Sequence, residues 1–79
     1  MANIDLRNDS KYNFKDISSE QYREYNFDGV DVTIEDPQYL ATSDHGHRIL
    51  DGHGKCHYVG FDGYYFTWEV QEGEPHFVA

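Results

Sequence analysis

The chain has 79 residues and a net charge of −9. This length predicts one small domain, residues 1–79, because a core of this size supplies only about 3–5 kcal/mol of net stability. The negative charge repels phosphates and anionic lipid, which argues against direct binding to nucleic acid or membranes. Aromatic residues make up 16% of the chain, more than is typical of intrinsically disordered proteins, so we expect a folded domain.

The predicted compartment is the cytoplasm. The first residues, MANIDLRNDSKYNFK, lack the apolar stretch of about 7–15 residues that is typical of a secretory signal. No run approaches the ~18 apolar residues that a membrane span needs. Cys56 is the only cysteine, so an internal disulfide is excluded, as is usual in a reducing compartment.

The first predicted element is a short helical turn near residues 18–24. Ser18 and Gln21 have the spacing of a capping box, which favours the start of a helix. A competing interpretation assigns the second half of this stretch to a strand.

That strand belongs to the clearest local signal, the segment YREYNFDGVDVTIED. Two alternating segments flank Asp28-Gly29, a dipeptide that suits a two-residue hairpin turn with positive φ. The predicted opposing pairs are Phe27 with Val30, Tyr25 with Val32, and Arg23 with Ile34. One surface of the hairpin is therefore apolar, whereas Asp31, Thr33 and Glu35 point to the other side.

Further short strands follow this hairpin. Asp36-Pro37 ends its second strand, because proline lacks the N–H that a ladder needs, and residues 39–42 can form another strand. Residues 47–51 and 55–59 flank Gly52-His53-Gly54, which predicts a second hairpin with a three-residue loop. Residues 60–63 predict a turn.

The last strong pattern covers residues 64–70. Tyr64, Phe66, Trp68 and Val70 alternate with polar or less apolar residues, so we predict a central core strand rather than an exposed stacking platform. Residues 76–78 can pair back onto it after a turn. The predicted fold class is α+β but mostly β: a small antiparallel sheet of five or six short strands, a meander of hairpins, with at most one short helix near the N-terminus.

Four of the five histidines lie in the segment SDHGHRILDGHGKCHYVG, together with Cys56. His53 and His57 have the spacing of a zinc-ligand pair, and His45 and His47 would share one side of a strand. However, Cys56 and His57 are adjacent and should face opposite sides, and no second cysteine is present. We therefore predict no metal ligands and no cofactor, and keep a metal-binding module as an alternative.

No catalytic motif is present: the chain has neither a Gly-x-Ser-x-Gly elbow nor a phosphate-binding loop. We predict a protein that is not an enzyme, with a small hydrolase using His57 and an acid as a weaker alternative. The histidines are interpreted as exposed residues that modify the surface charge. Protonation of all five would change the net charge from −9 to −4, so a charge-driven partnership should weaken below about pH 6.

The acidic residues are the stronger functional candidates. From Glu24 onward eleven acids face only Arg48 and Lys55. Side chains at i and i+2 of a strand are roughly 6.6 Å apart on one face, a spacing comparable with the one charge per ~3.4 Å of a nucleic-acid strand. The predicted partner-binding residues are Glu24, Asp28, Asp31, Glu35, Asp36, Asp44, Glu69, Glu72 and Glu74. The alternative is a solvated acidic surface that only keeps the domain soluble.

In size, charge and lack of a catalytic motif, the whole chain resembles the small acidic inhibitors that phages and mobile elements encode. These include DNA-mimicking anti-CRISPR and anti-restriction proteins, and acidic immunity proteins and antitoxins share the same character. The resemblance implies an inhibitor that occupies the basic nucleic-acid-binding groove of a partner protein, in the host cytoplasm if the chain is phage-encoded.

Overall fold

The structure is a computed structural model that describes residues 5–7, 12–27 and 29–77, without the side chain of Val30. Within these ranges the chain forms only strands and turns, so it contains no helix long and apolar enough to cross a membrane. The strands are β1 (Lys15–Asp16), β2 (Tyr22–Phe27), β3 (Val30–Glu35), β4 (Pro37–Thr42), β5 (Gly46–Asp51), β6 (Cys56–Gly60) and β7 (Tyr65–Trp68). The prediction of a mostly β fold with short antiparallel strands is confirmed.

The strands form two sheets, so the prediction of a single sheet of five or six strands is wrong. Five of them pair in the order β1-β4-β5-β6-β7, and the hairpin β2-β3 forms a separate two-stranded sheet. From β4 to β7 the chain runs as a meander in which each strand pairs with the next. The hairpin is inserted between β1 and β4, which are themselves paired. This insertion lets the hairpin cover one face of the larger sheet.

The β2-β3 hairpin has the predicted register, with Phe27, Tyr25 and Arg23 opposite residues 30, 32 and 34. Gly29 takes the positive φ of 77° that the turn requires; Asp28 lies outside the described residues. The β5-β6 hairpin and the turn over residues 60–63 are also confirmed. Residues 39–42 do form a strand, which begins two residues earlier, at Pro37.

The predicted helical turn near residues 18–24 is wrong. Ser18 and Ser19 form a tight turn, in which the Glu20 N–H donates to the Ile17 carbonyl at 3.0 Å. Tyr22 then starts β2. Burying the alternate side chains of a strand against the sheet outweighs the modest helix preference of a single capping box.

The main core lies between the hairpin and the five-stranded sheet. Val32 and Ile34 of β3 are 5% and 1% exposed and pack with Leu40, Ile49 and Val59 of the larger sheet. Tyr25 and Phe27 of the hairpin lie at the margin of this cluster. Burial of the inner side chains holds the hairpin's register, because a slip of one residue would turn them to solvent.

The opposite face of the five-stranded sheet is covered only in part. Leu50 of β5 and Cys56 of β6 pack against Phe77, and Trp68 contacts the same phenyl ring edge-on at 5.4 Å between centroids. Residues near the N-terminus also pack here, and the His76 N–H donates to the Arg7 carbonyl. Phe77 makes only an isolated bridge, and Val78 of the predicted returning segment lies outside the described residues.

The prediction that residues 64–70 form a central core strand is wrong. β7 is shorter and lies at the edge of the sheet. Tyr64 and Phe66 are 61% and 55% exposed, whereas Trp68 is half-buried. The alternation correctly places Phe66 and Trp68 on one face, but the C-terminal segment covers that face only at Trp68. The aromatic stripe is therefore largely a surface feature.

Candidate functional site

Two surfaces on opposite sides of the molecule carry the groups that could recognise a partner. The first, which we call the acidic hairpin face, is the outer surface of β2-β3. Its members are all exposed side chains, namely Tyr22, Glu24, Asn26, Asp31, Thr33 and Glu35. They are exposed because the alternate positions of the same strands are buried against the larger sheet.

The register fixes the spacing of the three carboxylates on this face. Glu24 pairs with Thr33, so Asp31 and Glu35 are its two diagonal neighbours, at roughly 7–8 Å between Cα atoms. The Asn26 side-chain amide donates to Asp31 Oδ1 at 2.8 Å, which restricts the direction of that carboxylate. The array is therefore held by paired strands rather than by a loop.

Asp36, another predicted partner-binding residue, is held within the protein. It adopts a φ of 52°, which is unusual for a residue with a side chain, at the junction of β3 and β4. Its Oδ1 accepts a hydrogen bond from Gln38 Nε2 at 2.8 Å, and its carbonyl accepts one from Gly52 N at 2.8 Å. A Cβ at Gly52 would lie only 1.8 Å from Asp36 Oδ2. The Asp36 carboxylate thus stabilises the junction between β3 and β4.

Four of the remaining predicted acids lie away from the acidic hairpin face. Asp28 is outside the described residues. Asp44 lies in the turn between β4 and β5, next to rings of the uncovered sheet face. The other three lie exposed at the final turn of the chain and are Glu69, Glu72 and Glu74. The structure thus brings together Glu24, Asp31 and Glu35 and places Asp44, Glu69, Glu72 and Glu74 elsewhere.

The second surface, which we call the aromatic face, is the uncovered part of the five-stranded sheet. Arg48, Tyr58 and Phe66 lie side by side across β5, β6 and β7. The Tyr58 and Phe66 rings stack at 6.2 Å between centroids, and Tyr64 stacks on Phe66 at 6.1 Å. The Arg48 guanidinium carbon lies 4.1 Å from the ring centre of Tyr12 and 4.9 Å from that of Tyr58. This geometry is typical of cation–π contacts.

Two depressions open on the aromatic face. The larger, about 540 Å³, lies between the Arg48 row and the C-terminal segment, with Trp68 and Phe77 in its wall. The smaller, about 270 Å³, lies between the β4-β5 and β6-β7 turns. Phe61 of the β6-β7 turn also lines a third depression with Phe27 of the hairpin.

His57 lies in a buried hydrogen-bonded cluster, and the prediction that it is exposed is wrong. It is 4% exposed, its Nε2 lies 2.8 Å from Asp51 Oδ2, and its Nδ1 lies 2.8 Å from the Tyr65 hydroxyl. Asp51 Oδ1 accepts from the backbone N–H groups of His53 and Lys55 at 2.9 and 3.0 Å. Burial and the Asp51 charge raise the pKa of Tyr65. Each ring nitrogen of His57 has a partner within the protein, which indicates a structural role.

His47 joins the two layers. The Tyr25 hydroxyl accepts from Arg23 Nη1 at 3.0 Å and lies 2.7 Å from His47 Nδ1. Since the guanidinium can only donate, the hydroxyl accepts from Arg23 and keeps its own hydrogen to donate to Nδ1 of a neutral imidazole. Burial, and next the Arg23 charge, lower the pKa of His47. His47 therefore stays neutral where an exposed histidine would begin to charge.

The other members of the histidine-rich segment do not complete a metal site. His45 and His53 are exposed, and the described residues include no group of three or more His, Cys, Asp or Glu side chains placed to hold a metal ion. Cys56 faces the side of β6 opposite to His57, and burial raises the pKa of its thiol to about 12. Cys56 is a core residue, as its strand position predicts.

No protein-family model matches the chain, and searches of curated proteins and of solved structures find no match either. The function must therefore be argued from the two surfaces themselves. The sequence predicted the carboxylates of the acidic hairpin face. It missed the aromatic face, although the run of aromatic residues at 64–68 was the signal for it.

Proposed function

We propose that the protein is a non-enzymatic inhibitor that binds the basic nucleic-acid-binding groove of a partner protein, in the manner of anti-CRISPR or anti-restriction proteins. The observation that carries the proposal is the acidic hairpin face, where Glu24, Asp31 and Glu35 are exposed in a fixed register. The net charge of −9 adds a negative electrostatic field to that of this face. Such a field attracts a basic surface and accelerates association with it.

The spacing of the carboxylates sets the expected strength of the mimicry. The Cα atoms of neighbouring acidic residues on the hairpin are roughly 7–8 Å apart, against ~3.4 Å of axis per charge on a nucleic-acid strand. The face thus offers about one charge for every two phosphates. We expect it to engage a subset of the partner's phosphate-binding Lys and Arg residues, with Tyr22, which is 55% exposed beside the carboxylates, adding apolar contact.

The test is capture from a bacterial lysate on immobilised protein at low salt, followed by elution with duplex DNA. Proteins that elute with DNA are identified, and each is then assayed for DNA binding with and without the inhibitor. We expect a nucleic-acid-binding protein whose DNA binding is lost when the chain is added. The proposal fails if every captured protein binds DNA equally well in the presence of the chain.

The matched control for the capture is a pair of triple variants with the same net charge. Glu24→Gln, Asp31→Asn and Glu35→Gln together neutralise the acidic hairpin face. A second variant, Glu69→Gln with Glu72→Gln and Glu74→Gln, removes three charges from the final turn. Loss of capture by the first variant alone assigns the interface to the hairpin. Equal loss by both would indicate that only the net charge matters.

Recognition of a basic toxin by an immunity protein or antitoxin would use the same acidic surface. The identity of the DNA-eluted protein separates these classes, because a toxin partner would lose a toxic activity rather than a defence activity. The metal-binding alternative has no ligand set among the described residues.

A further inference from the structure

The smaller depression of the aromatic face, which we call the aromatic pocket, combines aromatic rings with carboxylates. It has a volume of about 270 Å³, below the ~300–1,000 Å³ of sites for drug-sized ligands, so it suits a single side chain. Its lining consists of Tyr58, Phe61, Tyr64, Phe66, Asp44, Asp62 and His45. Phe61, Tyr64 and Phe66 are 55%, 61% and 55% exposed.

Two glycines lie beside the groups that line the aromatic pocket. Gly46 and Gly60 face each other across β5 and β6. A Cβ at Gly46 would clash with the Val59 carbonyl oxygen and would lie 2.9 Å from the Tyr58 hydroxyl, and one at Gly60 would lie 3.0 Å from Asp62 Oδ1. Side chains at either position would therefore crowd the groups that line the pocket. The absence of side chains here lets Tyr58 and Asp62 approach the sheet.

The charge of the aromatic pocket is negative. Asp44 and Asp62 are exposed and, within the described part of the chain, form no hydrogen bond or ion pair through their carboxylates. Arg48 lines the larger depression and does not line this one. Ring faces and carboxylates are both complementary to a cation.

The same aromatic face already holds one guanidinium. Arg48 lies between the rings of Tyr12 and Tyr58, without a carboxylate within ion-pair distance among the described residues. Although the chain is rich in acidic residues, this guanidinium therefore contacts aromatic rings rather than a carboxylate. Phe66 and Tyr64 continue the stack toward Asp62 with their rings exposed.

We propose that the aromatic pocket binds an arginine side chain of the partner protein, with the guanidinium on Tyr64 and Phe66 and its N–H groups directed at Asp44 and Asp62. A planar guanidinium can stack on a ring while its N–H groups point outward in a fixed fork, whereas an ammonium group is not planar and cannot stack in this way. This inference rests on the proposed function, because a nucleic-acid-binding groove is rich in arginine. It adds an aromatic anchor, of the kind that dominates binding energy in protein interfaces.

The test uses the isolated protein and a small probe, so it does not depend on finding a partner. N-acetyl-arginine amide is titrated into the isotope-labelled protein at pH 8 and constant ionic strength, and NMR shifts are followed. The neutral isostere N-acetyl-citrulline amide and the lysine derivative are titrated in parallel. We expect saturable shifts confined to the aromatic pocket, at least threefold weaker binding of the lysine derivative, and no saturation with citrulline.

Variants then locate the site. Tyr64→Ala with Phe66→Ala should abolish the saturable shifts, and Asp44→Asn with Asp62→Asn should weaken binding at least threefold. Thr67→Ala, an exposed side chain on the other face of the same strand, is the control and should bind normally. Equal binding of arginine and citrulline, equal binding of arginine and lysine, or unchanged binding by the Asp44/Asp62 variant would overturn the proposal.

Failure of this inference is distinguishable from failure of the proposed function. If arginine does not bind but neutralising the acidic hairpin face abolishes partner capture, only the aromatic pocket is misassigned. If arginine binds in the pocket but no captured protein loses DNA binding, the pocket stands and the proposed function does not.

Discussion

Replacing Asp51 tests whether the buried cluster of Asp51, His57 and Tyr65 has a structural role. Asp51→Ala removes the carboxylate that accepts from His57 Nε2 and from two backbone N–H groups of the β5-β6 loop. A hydrogen bond to a charged group contributes about 1.5–3 kcal/mol, and a buried donor left without a partner costs about 1–3 kcal/mol. Because His57 is 4% exposed, water cannot readily replace the lost acceptor.

We expect Asp51→Ala to lower the free energy of unfolding by about 3–5 kcal/mol. For a domain of this size that corresponds to a fall in Tm of at least about 12 °C. Asp51→Asn should cost less, about 1–2 kcal/mol, because its oxygen can keep both loop hydrogen bonds. Its amide would then donate to His57 Nε2, so the histidine must move its proton to Nδ1 and donate to the Tyr65 hydroxyl.

Urea unfolding measures the free energy of each variant that is folded without urea, and complete unfolding of Asp51→Ala is the upper limit of the expected effect. Nitrogen NMR of the imidazole identifies the tautomer in Asp51→Asn. Asp44→Ala is the matched control, since that exposed carboxylate has no partner among the described residues, and it should change stability by less than about 0.5 kcal/mol. The structural interpretation of the cluster is refuted if Asp51→Ala is no more destabilising than Asp44→Ala.

Three further predictions concern stability. His47 has a folded-state pKa below its ordinary value, so its contribution to stability is present above about pH 6.5 and is lost as the pH falls through the folded-state pKa. In thermal melts the wild type should be more stable than His47→Gln at pH 7.5, and the difference in Tm should shrink at pH 5. A difference that grows on acidification would contradict this. Gly52→Ala should destabilise the protein by about 1–3 kcal/mol in urea unfolding, because its Cβ would clash with Asp36 Oδ2. Adding Asp36→Gly to this variant should suppress the effect. If the double variant instead loses the sum of the two single losses, the clash is ruled out. By the same assay, Phe66→Ala should lower the free energy of unfolding by less than about 1 kcal/mol. Leu50 is 0% exposed, so Leu50→Ala should lower it by about 2–5 kcal/mol. Similar losses in the two variants would mean that Phe66 is a core residue.

The parts of the fold that depend on neighbours in sequence were predictable. The turn at Gly29 and the alternation on either side of it defined the β2-β3 register. The predicted β5-β6 hairpin also contained the signal for the His57–Asp51 bond, because both residues fall on one side of it. Local chemistry sufficed wherever the partner strand was the next one in the chain.

The remaining features depend on contacts between distant segments. Alternation at residues 64–68 identified a strand but not which of its faces would be covered, and the edge position of β7 follows from the order of all five strands. Likewise, the hydrogen bond between Tyr25 and His47 joins two sheets. No local sequence pattern predicts which of the histidines will be covered by the second sheet. These non-local contacts created both the aromatic face and the surroundings that lower the pKa of His47.

The most direct test of the proposed function is the association rate constant between the protein and a DNA-eluted partner, measured by stopped flow at about 20 and 300 mM salt. Salt shortens the range of charge interactions from tens of ångströms to under ~10 Å, so a steered encounter should slow at least about tenfold. Neutralising Glu24, Asp31 and Glu35 should remove most of this salt dependence, whereas neutralising the final turn should leave most of it in place. A rate constant that does not change with salt, or one that responds equally to both triple variants, would contradict binding through the acidic hairpin face.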